Sequence, residues 1–196
     1  PNPVRTENFT ALFSGDYSFI SPIAVTAQVV VVILAGQLIF SIMAAYAFAK
    51  LRFAGRDALF WLYLATLMIP QVVIVIPLYT MMVQTGLRNS FGALVLPFLF
   101  GSPYAVFLLR EHFRSIPDDL IDAARIDGAG DWRILWQIVA PMSRGIIATL
   151  AIITVVTHWN NFMWPLIILS TKDMYTFPVA LSRSTALGAS IPAGSA

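Results

Sequence analysis

From residue 23 to residue 49 the chain runs without one charged side chain, and only Gln28 and Gln37 are strongly polar there. A hydrocarbon core about 30 Å thick is crossed by roughly 20 apolar residues in helix, so this stretch is long enough to span a membrane. Three more such stretches follow. They cover about 58–82, interrupted by Pro70 and Pro77; about 91–109, with Pro97 and Pro103; and about 145–169, with His158, Asn160 and Asn161. Only helices or closed barrels satisfy their backbone groups in lipid, and the two-residue alternation of a barrel strand is missing. The expected fold class is all-α: a polytopic membrane helical bundle with four visible spans.

Composition supports lipid as the solvent. The chain is 58% hydrophobic and 11% charged, against about 45–50% and 25% for a soluble domain, and its mean hydropathy is +0.78. The formal charge is +2. The sequence pI near 9.2 therefore reflects few ionisable groups, not a nucleic-acid-binding surface. Cysteine is absent, which excludes disulfides and thiolate metal sites. The chain opens on Pro1-Asn2, and residues 1–19 are too polar for the apolar region of a targeting signal. The expectation is one transmembrane domain over 1–196, part of a longer polypeptide.

The cations set the orientation. With the N-terminus outside, Lys50, Arg52, Arg56, Arg110, Arg114, Arg125, Arg133 and Arg144 lie on the cytoplasmic side, and Arg5, Arg88, Lys172 and Arg183 outside. Residues 110–144 then form the longest cytoplasmic loop. Within it, Ile116-Pro117-Asp118-Asp119 has Pro and acids where a helix begins. Gly128 stands where that helix ends in a left-handed residue. Asp131 is positioned to cap a second helix, along which Trp132, Leu135, Trp136 and Val139 repeat at helical spacing until Pro141. Two short helices joined by a glycine turn are expected on the membrane surface.

That loop reads Asp122-Ala123-Ala124, three residues, Gly128, nine residues, Ile138, one residue, Ala140-Pro141. The chain here resembles the permease family of ATP-binding-cassette importers, whose signature is Glu-Ala-Ala, three residues, Gly, nine residues, Ile, one residue, Leu-Pro. It departs at Asp122 and Ala140. Lys50-Leu51-Arg52-Phe53-Ala54-Gly55, Ile69-Pro70-Gln71, Asp127-Gly128-Ala129 and Trp159-Asn160-Asn161-Phe162-Met163-Trp164-Pro165 are similar to the carbohydrate, maltose-type branch. The resemblance covers about residues 20–185. It implies six spans in the complete chain, one before Pro1 and one after Ala196. It also implies a bacterial cytoplasmic (inner) membrane location, a second permease subunit, two cassette ATPases and an extracytoplasmic solute-binding protein. The coupling helix would be residues 118–128, with Asp118, Leu120, Ile121, Asp122, Ala123, Ala124, Asp127 and Gly128 as contact residues. Ala123 and Ala124 would permit close approach to the ATPase, and Leu120 and Ile121 would supply apolar area. A purely interfacial helix resting on headgroups is the alternative for such a loop.

No phosphate-binding Gly-x-x-x-x-Gly-Lys-Ser/Thr loop is present, so ATP and its magnesium belong to the partner ATPase and this chain is expected to be no enzyme. It is expected to hold no cofactor. His112 and His158 have no ligand partner at i+3 or i+4, so neither a catalytic nor a metal site is expected. Polar residues within a span are kept mainly where they face protein or water. Trp159, Asn160 and Asn161, with Gln71 after Pro70, are candidates for a solute pathway suited to a neutral polyol. Hydrogen bonding between helices explains buried Asn equally well. The prolines admit hinges or static kinks. A secondary transporter, or an importer of peptides or osmolytes, remains the rival class.

Overall fold

The computed structural model describes residues 19–188; Arg5 and the polar opening stretch lie outside them. Helix α1, Ile20–Lys50, is apolar around its whole circumference, as expected of a helix with lipid or protein on every side. It is the axis of the fold. Helix α5, Pro103–Arg114, and helix α8, Arg144–Trp159, pack along it. Association of helices in lipid depends on van der Waals fit and polar links more than on solvent exclusion. The fit is visible at Gly36, which lies directly against Leu99, and at Gly101, which lies on the backbone of Ser41. Ser41 also accepts a hydrogen bond from the Ser102 amide at 3.1 Å.

Prolines decide where the other spans turn. Helix α2, Arg56–Ala65, tightens into a 3-10 turn over Thr66–Met68, and helix α3 follows over Gln71–Gln84. The two halves meet at 98°. Ile69 is extended (ψ 116°), the conformation that a following proline imposes on its predecessor, so the helix cannot run through Pro70. Pro77 behaves differently from the sequence expectation: it lies inside α3 without ending it. Helix α4, Phe91–Val95, starts at Ser90, whose hydroxyl accepts from the Ala93 amide at 3.2 Å. A 3-10 turn at Leu96–Phe98 leads to Pro103, which opens α5 as a first-turn proline.

Among the described residues two helical stretches (α1 and Phe91–Arg114) are long and apolar enough to cross a membrane, or up to four if each bent pair counts as one. The second bent pair is α7, Asp131–Met142, and α8, meeting at 81° beside Ser143. So α7 turns across the direction that α8 takes through the membrane. Helix α8 ends at Trp159, ten residues short of the expected limit of the fourth span. A break at 160–162 separates it from helix α9, Met163–Ile168. A last helix, α10, Phe177–Gly188, was not foreseen from the sequence.

The two ends of the bundle are fastened differently. On the outer side Asn89, in the left-handed region at φ 57°, accepts from the Ser170 amide (2.8 Å), the Thr171 amide (3.1 Å) and the Thr171 hydroxyl (3.2 Å). Thr26 of α1 accepts from the Phe177 amide at 2.8 Å. At the Lys50 end a core of Tyr46, Leu109, Phe113, Ile116, Ile121, Ile134 and Leu135 joins α1 and α5 to the loop expected to face the cytoplasm. Arg110, almost buried, lies over Phe60 at 3.9 Å and reaches Asp57 at 3.5 Å, tying α5 to α2.

The contact at Gly36 gives a direct test. A Cβ there would sit 2.7 Å from the Leu99 carbonyl oxygen, so Gly36→Val forces α1 away from the Leu99–Ser102 bend that leads into α5, at a cost of about 1–3 kcal/mol. Thermal unfolding in detergent should show a clear fall in melting temperature; an unchanged value would mean that α1 and the Leu99 bend do not meet at Gly36.

Candidate functional site

The loop expected to face the cytoplasm folds into a small knuckle mounted on the Lys50 end of α1. Helix α6 runs over Asp118–Ile126 with Pro117 as its N-cap, and Asp118 and Asp119 stand at the positive end of its dipole. It ends in a Schellman turn: the Ala129 amide bonds back to the Ala124 carbonyl at 2.9 Å, and the Gly128 amide to Arg125 at 3.0 Å. Gly128 has φ +82°, and no atom lies within 4 Å of the place a Cβ would take. The glycine is therefore required by backbone conformation and not by crowding.

Four hydrogen bonds hold the knuckle. The Lys50 ammonium donates to the Ile116 carbonyl at 2.7 Å and to Asp118 at 2.6 Å. Its side chain is 5% exposed, against 80% for Asp118. The Lys50 hydrogen bond and charge hold the Asp118 carboxyl below its ordinary value. At the other end of α6, one carboxylate oxygen of Asp131 accepts from both Arg125 (3.0 Å) and the Tyr46 hydroxyl (3.2 Å). The bond to Asp131 keeps Arg125 more firmly protonated than usual. This corrects one expectation: Gly130, not Asp131, is the N-cap of α7, and Asp131 is spent on fastening.

Which residues α6 presents follows from that mounting. Ile121 faces inward and is 3% exposed, burying itself among Ile116, Phe113 and Ile134. Transfer of such a side chain from water is worth about 1.5–3 kcal/mol, which secures the helix to the bundle. Ile121 is therefore an anchor and has no free surface to offer a partner, contrary to the role expected for it. Ala124 is half-buried on the same side. The outward face carries Asp119, Asp122, Ala123 and Asp127, with Leu120 44% exposed at its edge. Ile126, absent from the expected contact set, is 88% exposed at the centre of this face. Its spacing of seven residues from Asp119 and three from Ala123 is the sequence signal that places it on this face.

The membrane candidates separate into two places. Trp159 closes α8, and Asn160 caps it by donating from Nδ2 to the Val156 carbonyl at 2.7 Å. Asn161 is half-buried in the break that follows. His158 lies against Phe98, with ring centroids 5.2 Å apart. Gln71 is exposed at the first turn of α3, and no hydrogen bond joins it to the Trp159–Asn161 group among the described residues. The structure also links Gln37 of α1 to Thr154 of α8, whose hydroxyl donates to it at 3.0 Å. No cluster of three His, Cys, Asp or Glu side chains converges among the described residues.

The family described as "Binding-protein-dependent transport system inner membrane component" matches residues 37–193. The chain belongs to this family. As an inner membrane component it is 35% identical, over 182 residues, to the arabinooligosaccharides transport system permease protein AraQ of Halalkalibacterium halodurans, covering 93% of this chain and 65% of that one. It is 40% identical to the sn-glycerol-3-phosphate transport system permease protein UgpE of Yersinia pestis, covering 81% and 53%. Among solved structures, a bacterial ABC transporter involved in the import of the acidic polysaccharide alginate superposes with a TM-score of 0.85. The two are 25% identical, and the match covers 94% of this chain and 64% of that one. The chain thus spans about half to two thirds of the length of these relatives.

For this inner membrane component the Lys50 clasp is measurable. Because Lys50 depresses the Asp118 carboxyl, the ion pair stabilises the knuckle at every pH above the ordinary aspartate value. It is lost only as pH falls below that value, through the depressed one. Lys50→Met should speed hydrogen exchange of the amides in 118–128 about tenfold or more at neutral pH, as for loss of the two hydrogen bonds that the ammonium donates. Exchange in α1 should stay unchanged. Equal exchange in both proteins would show that Lys50 does not hold α6.

Proposed function

We propose that this chain is the membrane-spanning permease subunit of an ATP-driven importer for a sugar or sugar-like solute. The observation that carries this is the outward face of α6. Ala123, Ile126 and Leu120 are left accessible, rimmed by carboxylates, on a helix fastened at both ends to the inner terminus of a span. An isolated surface helix has no use for that stiffness; a helix that transmits force does. The short side chains at Ala123 and Gly128 allow a groove on a cassette ATPase to close around the turn, and Ile126 supplies the apolar contact.

The chain contains no phosphate-binding loop, so ATP and magnesium are held by two partner ATPases and the permease performs no chemistry. Closure of the ATPases on ATP moves each docked knuckle. Lys50 and Asp131 convey that motion to α1, and Ile134 and Leu135 convey it to α7 and α8. The equilibrium shifts only because the ATPase pair binds one arrangement of the permeases better than the other. A second permease completes the central cavity, and an extracytoplasmic solute-binding protein delivers the solute.

The break at 160–162 supports a passage beside it. Irregular backbone at membrane depth is tolerated where it is buried in protein or lines a water-filled cavity. Asn160 and Asn161 offer amide groups, and Trp159 a flat apolar ring, which together suit a polyhydroxylated solute. The relatives named for arabinooligosaccharides, glycerol-3-phosphate and alginate point to the same chemical class.

Substitution of Gly128 tests the docking role. Val at φ +82° costs about 1–2 kcal/mol in backbone strain alone and distorts the turn. In the assembled transporter, Gly128→Val should cut uptake by about tenfold or more while ATP hydrolysis continues without its solute dependence, or the ATPase should fail to co-purify. Normal solute-stimulated uptake would exclude the turn from coupling. Ile126→Asp should weaken ATPase association by about tenfold, the value of one lost apolar contact; unchanged association would remove Ile126 from the interface. Replacing Asn160 and Asn161 together by Ala should alter the uptake affinity or rate for the sugars that stimulate hydrolysis. Uptake kinetics identical to the native protein would exclude both from the pathway.

A further inference from the structure

Beside the knuckle, the inner end of α1, residues 51–53 and α6 enclose a cleft of about 870 Å³ whose wall includes Lys50, Arg52, Phe53, Arg56, Asp118 and Arg125. A second concavity of about 460 Å³, reaching toward the start of α2, is also lined by Arg52, Phe53 and Arg56. The charges around them are mostly spent on one another. Lys50 is paired with Asp118, and Arg125 with Asp131 at 3.0 Å and Asp122 at 3.8 Å. Arg56 bonds Asp57 at 3.1 Å and the Leu51 carbonyl at 3.3 Å. Arg52 is exposed and makes no hydrogen bond or ion pair among the described residues; its charge acts on Asp118 only through space, and Asp118 is already bonded by Lys50. A positive charge is left over where two concavities meet.

We propose that Arg52, with Arg56 beside it, binds the phosphate of an anionic phospholipid headgroup of the cytoplasmic leaflet. Position supports this: Arg52 and Phe53 lie in the short connection between the end of α1 at Lys50 and the start of α2 at Arg56, where an uncharged apolar helix gives way to a run of cations. Basic residues at such a boundary are drawn to anionic leaflets, and the planar guanidinium fork matches phosphate oxygens. The surface continues as a lipid needs it. Phe53 is 42% exposed next to Arg52 in the chain, and α2 buries only Phe60, leaving Leu59, Trp61 and Leu62 at 50%, 65% and 68% exposure. An acidic segment of a cytoplasmic partner would meet the same arginine, but it would leave that apolar face unused. The site does not depend on the importer reading, because it needs only the span end and the unpaired charge.

The test uses the full-length permease with its native partners, delipidated and titrated with phosphatidylglycerol or phosphatidylcholine under native mass spectrometry. Arg52 supports no other residue through a hydrogen bond or ion pair, so Arg52→Gln should fold and assemble normally. The native protein should prefer phosphatidylglycerol, and Arg52→Gln should weaken that binding about fivefold, the effect of one basic residue at an anionic surface. Arg52→Lys should retain most of it. Excess inorganic phosphate should not displace the lipid. Unchanged phosphatidylglycerol binding in Arg52→Gln would overturn the proposal. So would displacement by free phosphate, which would indicate a soluble anion site. Loss of the ATPase in place of lipid would assign Arg52 to a protein contact.

Discussion

The ammonium of Lys50 is the point at which the long apolar helix α1 and the knuckle built on α6 become one body. It sits at the last residue of α1 and is almost entirely shielded. It satisfies a main-chain carbonyl at Ile116 and a carboxylate at Asp118 together. A lysine so placed must be paired, because a shielded cation without a partner is costly. Its partners lie on the segment that leads into α6, so the requirement of one charge fixes the start of that helix. Ile121 and the Tyr46–Asp131–Arg125 link then fix its rotation and its far end. The face left outward is a consequence of these three attachments.

The spans were legible because lipid leaves the backbone few choices: uncharged runs of sufficient length become helices, and α1 departs from its expected bounds by only a few residues. The left-handed turn at Gly128 was legible for a similar reason, since few residues other than glycine adopt that conformation at low cost. Facing was not legible. Ile121 and Ile126 have the same side chain on one short helix, and one is buried while the other is 88% exposed. Only the packing of α6 against Phe113 and Ile134 separates them. The role of Asp131 was hidden for the same reason, because Tyr46 lies far away in the chain and meets it only in the fold. Asn160 resembled a mid-span residue by its apolar flanks, but its amide competes for the Val156 carbonyl and closes the helix there.

The break after Trp159 and the bend at Pro70 interrupt helices that straight spans would have carried across. Arg144–Trp159 extends about 24 Å at 1.5 Å per residue, less than a hydrocarbon core. The remaining depth is covered by the irregular 160–162 segment and α9, whose Trp164 donates to the Ala93 carbonyl at 2.9 Å. That bond satisfies a carbonyl in the short helix α4 and ties the outer half of the bundle together. Irregularity on this side is thus supported by specific polar bonds, as a low-dielectric surrounding demands.

Helix α1 is about 46 Å long at 1.5 Å per residue. It is gripped near its middle, where Gly36 and Ser41 hold the bend at Leu99–Ser102, and it bears attachments at both extremities: Thr26 to Phe177 outside, and Lys50 to Asp118 inside. A stiff rod held at its centre has a fulcrum. A sideways displacement of its Lys50 tip about that point would reappear at the opposite tip with reversed sign, and the arms are similar enough in length that little amplitude would be lost on the way.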